Sequence, residues 1–173
     1  MNPADPVIGA LLERCAFPPP GSAVTCAVSG GADSTALVAL AVAAGLHVRA
    51  VHVDHGLRDG SGAEAARVAA VLAPWGVPCA SVTATVAPGG DLEARARAAR
   101  MGALPPDALF GHTADDQAET VLLRVLRGTG PTGLAAMRPD RHPMLRLRRD
   151  QTRALCAHLG VTPFEDPSNG SSS

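Results

Sequence analysis

The residues best suited to chemistry form a short run at the end of an apolar stretch, Ser29-Gly-Gly-Ala-Asp-Ser34. Glycines let the backbone approach an anion closely, and the N-terminus of a following helix favours negative charge. The carboxylate of Asp33 would repel a bare phosphate, so its presence fits a site in which Mg²⁺ lies between the two. The run therefore predicts a cradle for the phosphates of a nucleotide. A plain turn, with Asp33 or Ser34 capping the helix, is the alternative.

Two further groups of polar side chains follow predicted strands. The first contains His52, Asp54 and His55, and the second contains His112, Asp115 and Asp116. Each histidine of the first group could bind a ligand or only pack, and a metal site is disfavoured because nothing nearby completes a tetrahedral ligand set. In the second group Asp116 has capping-box spacing from Thr113, but two adjacent carboxylates exceed what capping needs.

The common nucleotide fingerprints are absent from the glycine run. No lysine follows the glycines, which excludes a Walker A loop. The run also lacks the G-x-G-x-x-G spacing that is typical of dinucleotide-binding folds.

Strands and helices alternate along the chain in an order that brings these polar groups together. Strands are predicted at residues 24–28, 48–53, 78–83 and 108–110, and helices within residues 1–14, 34–44, 61–72, 91–104, 113–128 and 150–159. The order predicts an α/β fold, a Rossmann-like parallel sheet with helices on both faces. Because such sheets bind ligands beyond the carboxyl ends of their strands, we expect the polar groups to share one cleft.

The composition fits one domain with an aliphatic core. The chain has 173 residues, of which three are Phe, one is Trp and none is Tyr, so Ala, Val and Leu must fill the interior. We expect a catalytic domain at residues 21–169, an N-terminal segment at 1–20 and a disordered tail at 170–173. The helix after Thr113 is expected to present one apolar face, made of Ala118, Val121, Leu122 and Val125.

Charge is distributed unevenly along the chain. All fifteen basic residues are Arg, and eleven of them lie between Arg95 and Arg153 with six acidic residues, so this stretch carries +5 and the remainder −6. The asymmetry is compatible with a polyanion docking on one side, and equally with a general use of Arg in place of Lys. The formal net charge of −1 argues against a uniformly basic nucleic-acid binder.

The cysteines indicate the compartment. Cys15, Cys26, Cys79 and Cys156 lie far apart, with no Cys-x-x-Cys pair and no signal sequence before them. We therefore expect a reducing, cytoplasmic location. No run reaches the roughly 18 uninterrupted apolar residues of a membrane span, so no membrane association is expected. The oligomeric state is left open.

The run from Ser29 to Ser34 resembles the pyrophosphate-binding loop of the N-type ATP pyrophosphatases, the PP-loop superfamily. Four other stretches are similar to the tRNA(Ile)-lysidine synthases within that superfamily. They are Val51-His-Val-Asp-His-Gly-Leu-Arg58, Asp91-Leu-Glu-Ala-Arg-Ala-Arg97, the segment from Gly111 to Gly130, and Glu165-Asp-Pro-Ser-Asn169. The segment after Gly111 is the most specific of them.

The resemblance implies an adenine nucleotide alpha hydrolase-like fold and a two-step reaction. ATP with Mg²⁺ would adenylate the C2 oxygen of the wobble cytidine in tRNA(Ile) with a CAU anticodon. Free lysine would then attack C2 through its ε-amine, giving lysidine and releasing AMP after pyrophosphate.

The resemblance also implies roles for individual residues. The ATP phosphates would be bound by Ser29, Gly30, Gly31, Ala32, Asp33 and Ser34, with Asp33 holding Mg²⁺, and the adenine or ribose would face His52 and Asp54. Asp115 would hold the lysine ammonium or assist its deprotonation, with Asp116 beside it, and His112 would stabilise developing charge. The arginines that would contact tRNA phosphates, or form a solvated face, are Arg58, Arg95, Arg97, Arg124 and Arg127.

The resemblance has two departures and leaves alternatives. Where the family continues with an Arg-rich stretch and often further tRNA-binding domains, this chain has Gly170-Ser-Ser-Ser173, and His142 stands where the family usually has Arg. The alternatives are a tRNA 2-thiolation enzyme with the same loop, a GMP or NAD synthetase sharing only the loop, and a nucleotide-binding module without turnover.

Overall fold

The computed structural model describes residues 1–54, 61–84, 99, 101–128 and 137–164. Within this part of the chain the strands are β1 (Ala23–Val28), β2 (His47–Asp54) and β3 (Cys79–Thr83). The helices are α1 (Pro6–Leu12), α2 (Ala32–Ala43), α3 (Ser61–Leu72), α4 (Ala114–Leu126) and α5 (Arg149–His158), and a 3₁₀ turn (Ala73–Trp75) follows α3. Each of these strands and α-helices matches an element that the sequence predicts.

The described strands form a parallel sheet in the order β1-β2-β3. Val28 lies opposite His52, and Val53 lies opposite Val82. β1 and β2 are joined through α2, and β2 and β3 through α3, as parallel strands require. The predicted parallel sheet with helices on both faces is confirmed.

The predicted fourth strand at residues 108–110 is wrong. Leu109 forms a single parallel bridge with Cys26, at the edge of β1 away from β2, through backbone hydrogen bonds of 2.8 and 2.9 Å to that strand. In a parallel ladder the next N–H group, that of Phe110, points away from β1, and here it donates to Arg141 O (2.9 Å). The segment still runs parallel to β1, so its carboxyl end lies at the same edge of the sheet as that of β1.

Two clusters of buried side chains cover the two faces of the sheet. One face packs against α2 and α3, with α1 and α5 packed on α2 behind it, and the buried cluster there includes Leu11, Leu37, Leu40, Val68 and Leu155. The other face carries a smaller cluster of Val51, Leu104, Ala108 and Phe110, and residues 101–103 just before it are helical. The core is aliphatic, as the composition predicts.

Helix α4 does not pack into this core. None of its residues is buried, and four of its large apolar side chains, Leu122, Leu123, Val125 and Leu126, are each more than half exposed. The predicted apolar face of Ala118, Val121, Leu122 and Val125 is therefore not buried by the described part of the chain. An amphipathic pattern shows that a helix has an apolar side, but not that another part of the chain covers it.

Other predicted elements lie outside the described residues. The helix predicted at residues 91–104 is described only at its end, and residues 165–173, which include the tail predicted at 170–173, lie outside the described residues. None of the described helices has the length and apolar character that a membrane crossing requires.

Candidate active site

The loop after β1 is closed by its own serine side chains. Helix α2 begins at Ala32, earlier than predicted, with Gly31 as its extended N-cap residue, so neither Asp33 nor Ser34 caps it. The buried Ser34 hydroxyl instead donates to Gly31 O (3.1 Å) and accepts from Ser29 N (3.2 Å). Because the first N–H groups of a helix have no intrahelical acceptor, the start of α2 can offer them to an anion.

The segment after Leu109 lies directly against this loop. A Cβ atom at Gly111 would lie 2.7 Å from Asp33 O and 2.9 Å from Ser34 N, so only a residue without a side chain fits there. Glycine at this position therefore lets the carboxyl end of the segment reach the N-terminus of α2. The contact brings two of the predicted polar groups together.

The chain returns to the loop once more after α5. Phe164 N donates to Gly30 O (2.9 Å), and the Phe164 ring lies against Gly30, whose φ is +86°. The guanidinium of Arg67, on α3, lies 4.1 Å from the centre of the same ring. Phe164 therefore covers the loop on the side of α3.

Replacing Gly30 by alanine should destabilise the protein. The new Cβ atom would lie 2.6 Å from Phe164 Cε2, at a positive φ that residues with side chains rarely adopt. We expect the free energy of unfolding in urea to fall by about 2 kcal/mol, in roughly equal parts from the backbone and from the displaced ring.

Gly160→Ala is the matched control for this change. The φ of Gly160 is +67°, but nothing lies within 4 Å of its Cβ position. The substitution should therefore lower the free energy of unfolding only by the backbone contribution. That part is about 1 kcal/mol. Equal losses at Gly30 and Gly160 would contradict a role for the Phe164 contact.

One arginine joins the loop to helix α4. Arg149 Nη2 lies 2.6 Å from Asp116 Oδ1, and its Nη1 lies 3.0 Å from Glu119 Oε1. Its Nε lies 3.9 Å from Asp33 Oδ2. The planar guanidinium has several donors in fixed directions, which suits it to bind more than one carboxylate. A single side chain thus links acidic residues of α2 and α4.

The surroundings of Asp33 and Asp116 affect their ionisation in opposite directions. Burial raises the pKa of Asp33 above its usual value. A hydrogen bond from Thr152 Oγ1 and the charge of Arg149 act to lower this pKa but do not outweigh burial. Burial also acts to raise the pKa of Asp116, but hydrogen bonds from Thr113 and Arg149 outweigh it and hold this pKa below its usual value. Asp116 is therefore ionised at neutral pH, while the charged form of Asp33 would gain from a further cation.

The two adjacent carboxylates at the start of α4 serve two different helices. Thr113 N and Oγ1 donate to Asp116 Oδ2 at 2.7 and 2.9 Å, which confirms the predicted capping box. Asp115 Oδ2 accepts the backbone N–H of Arg149 (3.0 Å) at the start of α5. Both carboxylates thus have structural hydrogen-bond partners. A contact with a substrate would come in addition to these hydrogen bonds.

The predicted residues of β2 lie at the base of the loop. His52 is 5% exposed, and its Nδ1 lies 3.0 Å from Val28 O, so its ring packs at the point where β1 ends. This agrees with the packing interpretation of His52. Asp54 is half-buried at the end of β2, and His55 lies outside the described residues.

Four residues of the site were not predicted to belong to it. They are Arg149 and Thr152, which contact Asp33, Phe164, which contacts Gly30, and His142, whose Nδ1 lies 2.9 Å from His112 Nδ1. The available signals were weak: Arg149 is one arginine among several in its stretch, and His142 stood out only as a departure from the family's usual Arg. Thr152 and Phe164 belong to no recognisable motif.

The arginines predicted to contact tRNA are described only in part. Arg58, Arg95 and Arg97 lie outside the described residues. Arg124 lies in the last turn of α4 and Arg127 is its C-cap residue, beside the exposed leucines of that helix. Their contact with a nucleic acid stays a prediction.

The arrangement is that of a PP-loop domain: a parallel sheet with a glycine-rich, serine-closed loop between its first strand and the next helix. The chain belongs to the PP-loop family, whose model it matches over residues 8–173. It is 48% identical over 175 residues to the tRNA(Ile)-lysidine synthase of Nocardia farcinica, covering 95% of this chain and 54% of that protein. It is also 48% identical over 160 residues to the tRNA(Ile)-lysidine synthase of Rhodococcus erythropolis, covering 87% and 49%. The chain thus spans about half the length of these curated relatives.

Two solved structures share the fold. The U34-tRNA thiolase NcsA from Methanococcus maripaludis has a TM-score of 0.73 at 17% identity, covering 93% of this chain and 65% of that one. The NMN synthetase from Francisella tularensis has a TM-score of 0.57 at 18% identity, covering 90% and 68%. At such identities the likeness establishes the fold alone, and it confirms the expected adenine nucleotide alpha hydrolase-like class.

Proposed function

We propose that this chain is the ATP-using catalytic domain, residues 21–169, of a tRNA(Ile)-lysidine synthase. It would adenylate the C2 oxygen of the wobble cytidine in tRNA(Ile) with a CAU anticodon and then ligate free lysine in place of AMP. The reaction would take place in the bacterial cytoplasm. Support comes from curated relatives of that name at 44–48% identity, each aligned with most of this chain.

The contact between Gly111 and the loop is the observation that carries this proposal. The loop resembles PP-loop enzymes in general, whereas the segment that starts at Gly111 resembles the lysidine synthases in particular. The two segments meet backbone to backbone at Asp33 and Ser34. A reaction in which an amine attacks an adenylated base needs both substrates at one place, and this contact would give them neighbouring sites.

The described residues of the site have distinct tasks in this proposal. The N–H groups at the start of α2 would bind the β- and γ-phosphates and then the leaving pyrophosphate. Asp115 would hold the lysine ammonium, since a carboxylate can accept more hydrogen bonds than the one from Arg149 N. His112 would stabilise charge that develops on the cytosine ring or the phosphate. Asp54, with His52 behind it, would face the adenine or ribose.

The Asp33 carboxylate suits Mg²⁺ that binds together with ATP. Mg²⁺ is usually held by one or two carboxylates and by the phosphates of the substrate. Asp33 lies in the first turn of α2, where the phosphates would bind, and burial disfavours its charge in the absence of a cation. When bound, the ion would neutralise phosphate charge during adenylation.

A tRNA 2-thiolation enzyme is the main alternative, and the cysteines argue against it. All four cysteines are described, and burial raises the pKa of each thiol, to about 12 for Cys15 and Cys26 and to about 11 for Cys156. Such thiols stay protonated at neutral pH and are poor nucleophiles. Sulfur transfer through a cysteine of this chain is therefore disfavoured.

Incorporation of labelled lysine tests the proposed function. The protein is incubated with ATP, Mg²⁺, labelled lysine and unmodified tRNA(Ile) with a CAU anticodon, and the label that enters the tRNA is counted. Incorporation should require ATP and should be absent from a tRNA with U at the wobble position. Sulfur transfer without lysine incorporation would instead support a thiolation enzyme, and ATP binding without either reaction would support a binding module.

Replacing Asp33 by asparagine should weaken ATP binding only when Mg²⁺ is present. The amide keeps a partner for Thr152 but loses the charge that would hold the ion. We expect the Kd for ATP to rise about tenfold in Mg²⁺ and little in EDTA, as measured by calorimetry. The control is Asp107→Asn, an exposed carboxylate at the opposite end of the sheet. A similar loss in EDTA would exclude Asp33 as an Mg²⁺ ligand.

A further inference from the structure

His112 and His142 form a close pair beside the acidic start of α4. Their Nδ1 atoms lie 2.9 Å apart, and the rings meet edge to face with centres 4.7 Å apart. Both rings also contact the ring of Phe110, at centre distances of 5.8 and 5.5 Å. Phe110 N donates to the carbonyl of Arg141, the residue before His142 (2.9 Å). Side chains and backbone together therefore hold the two imidazoles in one arrangement.

The short distance between the two ring nitrogens restricts where their protons lie. A hydrogen bond between two imidazole nitrogens needs one donor and one acceptor, so one Nδ1 carries a proton and the other does not. The accepting ring is neutral and carries its proton on Nε2. The tautomers of the two rings are therefore coupled, and the distance fits either direction of the bond. With Nδ1 of His112 engaged in this way, a contact between His112 and a substrate must use Nε2.

We propose that His142 is a positioning residue, which orients the ring of His112 and holds it in one tautomer at the active site. His112 follows Gly111, which contacts the loop between β1 and α2, and precedes Thr113, the N-cap residue of α4. It therefore lies between the loop and the acidic cluster, where a ring with an undefined tautomer would be a poor donor. The role in the reaction rests on the proposed function, but control of the His112 tautomer does not.

Two substitutions separate the hydrogen bond from the packing of the rings. His142→Asn keeps a short polar side chain that can donate or accept near the Nδ1 position, whereas His142→Phe keeps an aromatic ring against Phe110 and removes the bond. Nitrogen NMR of protein with isotopically labelled histidine reports the tautomer of each ring, and His112→Gln identifies the signals of His112. We expect the balance of His112 tautomers in His142→Asn to stay close to that of the wild type, and the balance in His142→Phe to change.

The same variants are then compared in the lysine-incorporation assay. The kcat of His142→Phe should fall about tenfold, with the KM for ATP unchanged, and His142→Asn should recover to within about threefold of the wild type. Urea unfolding verifies that each variant is folded. Unchanged His112 signals in His142→Phe, or equal losses of kcat in both variants, would overturn the inference. If the wild type incorporates no lysine, the proposed function fails, and the NMR comparison alone decides whether His142 controls His112.

Discussion

Replacing Arg149 by methionine should lower the free energy of unfolding by about 3 kcal/mol and abolish measurable ATP binding. Methionine keeps much of the aliphatic bulk but leaves Asp33, Asp116 and Glu119 without the cation that they share. We place the expected decrease in the free energy of unfolding at the lower end of the range for buried ion pairs, because the Arg149 side chain is 38% exposed. Urea unfolding and calorimetry measure the two effects.

Two further variants show whether stability depends on the contacts that Arg149 makes with three carboxylates or only on its positive charge. Arg138→Met removes an arginine whose pair with Asp140, at 3.1 Å, is mostly exposed, so it should cost less than about 0.5 kcal/mol. Arg149→Lys keeps the charge but not the planar fork, and we expect a stability between those of the wild type and Arg149→Met. The interpretation is wrong if Arg149→Met is no less stable than Arg138→Met.

The cost of Arg149→Met should also depend on pH. The pKa of Asp116 is lower in the folded protein than its usual value, so folding favours its ionised form. This stabilisation is present above the unfolded-state pKa and is lost as the pH falls through the folded-state pKa. The difference in unfolding free energy between wild type and Arg149→Met should therefore shrink in acid, as urea titrations at several pH values would show.

Replacing Gly111 by alanine should be about as damaging, because the new methyl group would meet backbone and not a side chain. Its Cβ atom would lie 2.7 Å from Asp33 O and 2.8 Å from Asp33 C, so the loop itself must shift. We expect the free energy of unfolding to fall by about 3 kcal/mol and the Kd for ATP to rise at least tenfold. Both quantities come from urea unfolding and calorimetry.

Gly102→Ala is the matched control for Gly111→Ala. Gly102 lies in a helical stretch, and nothing is within 4 Å of its Cβ position. Alanine there should raise the free energy of unfolding by about 0.5 to 1 kcal/mol, because glycine is a poor helix former. If Gly111→Ala binds ATP as tightly as Gly102→Ala does, the backbone contact between the two segments does not hold the nucleotide site.

The loop, the strands and the start of α4 could be predicted because their signals are local. Consecutive apolar residues indicate each strand, and Thr113 and Asp116 indicate the capping box within four residues of chain. The start of α2 was predicted too late, because the N-cap residue is Gly31 and no side chain caps the helix there. A glycine N-cap leaves little signal in a sequence.

The contacts that close the site could not be predicted in the same way. Thr152 and Asp33 are 119 residues apart, and no periodicity connects them. The pairing of residues 108–110 could not be predicted either, although these residues have the composition of a strand. They make a single bridge to β1, and on the side away from β1 the Phe110 N–H group bonds to Arg141 O, a partner far along the chain.

The return of the chain to its first loop also sets the order in which the site can be completed during synthesis. A ribosome releases the N-terminal part first, so the loop and α2 emerge long before Arg149, Thr152 and Phe164. Contacts between such distant residues form late, because the long intervening chain must first be ordered. A nascent chain that ends before Arg149 lacks every one of these three contacts to Asp33 and Gly30. The candidate nucleotide site is therefore among the last parts of this fold to mature.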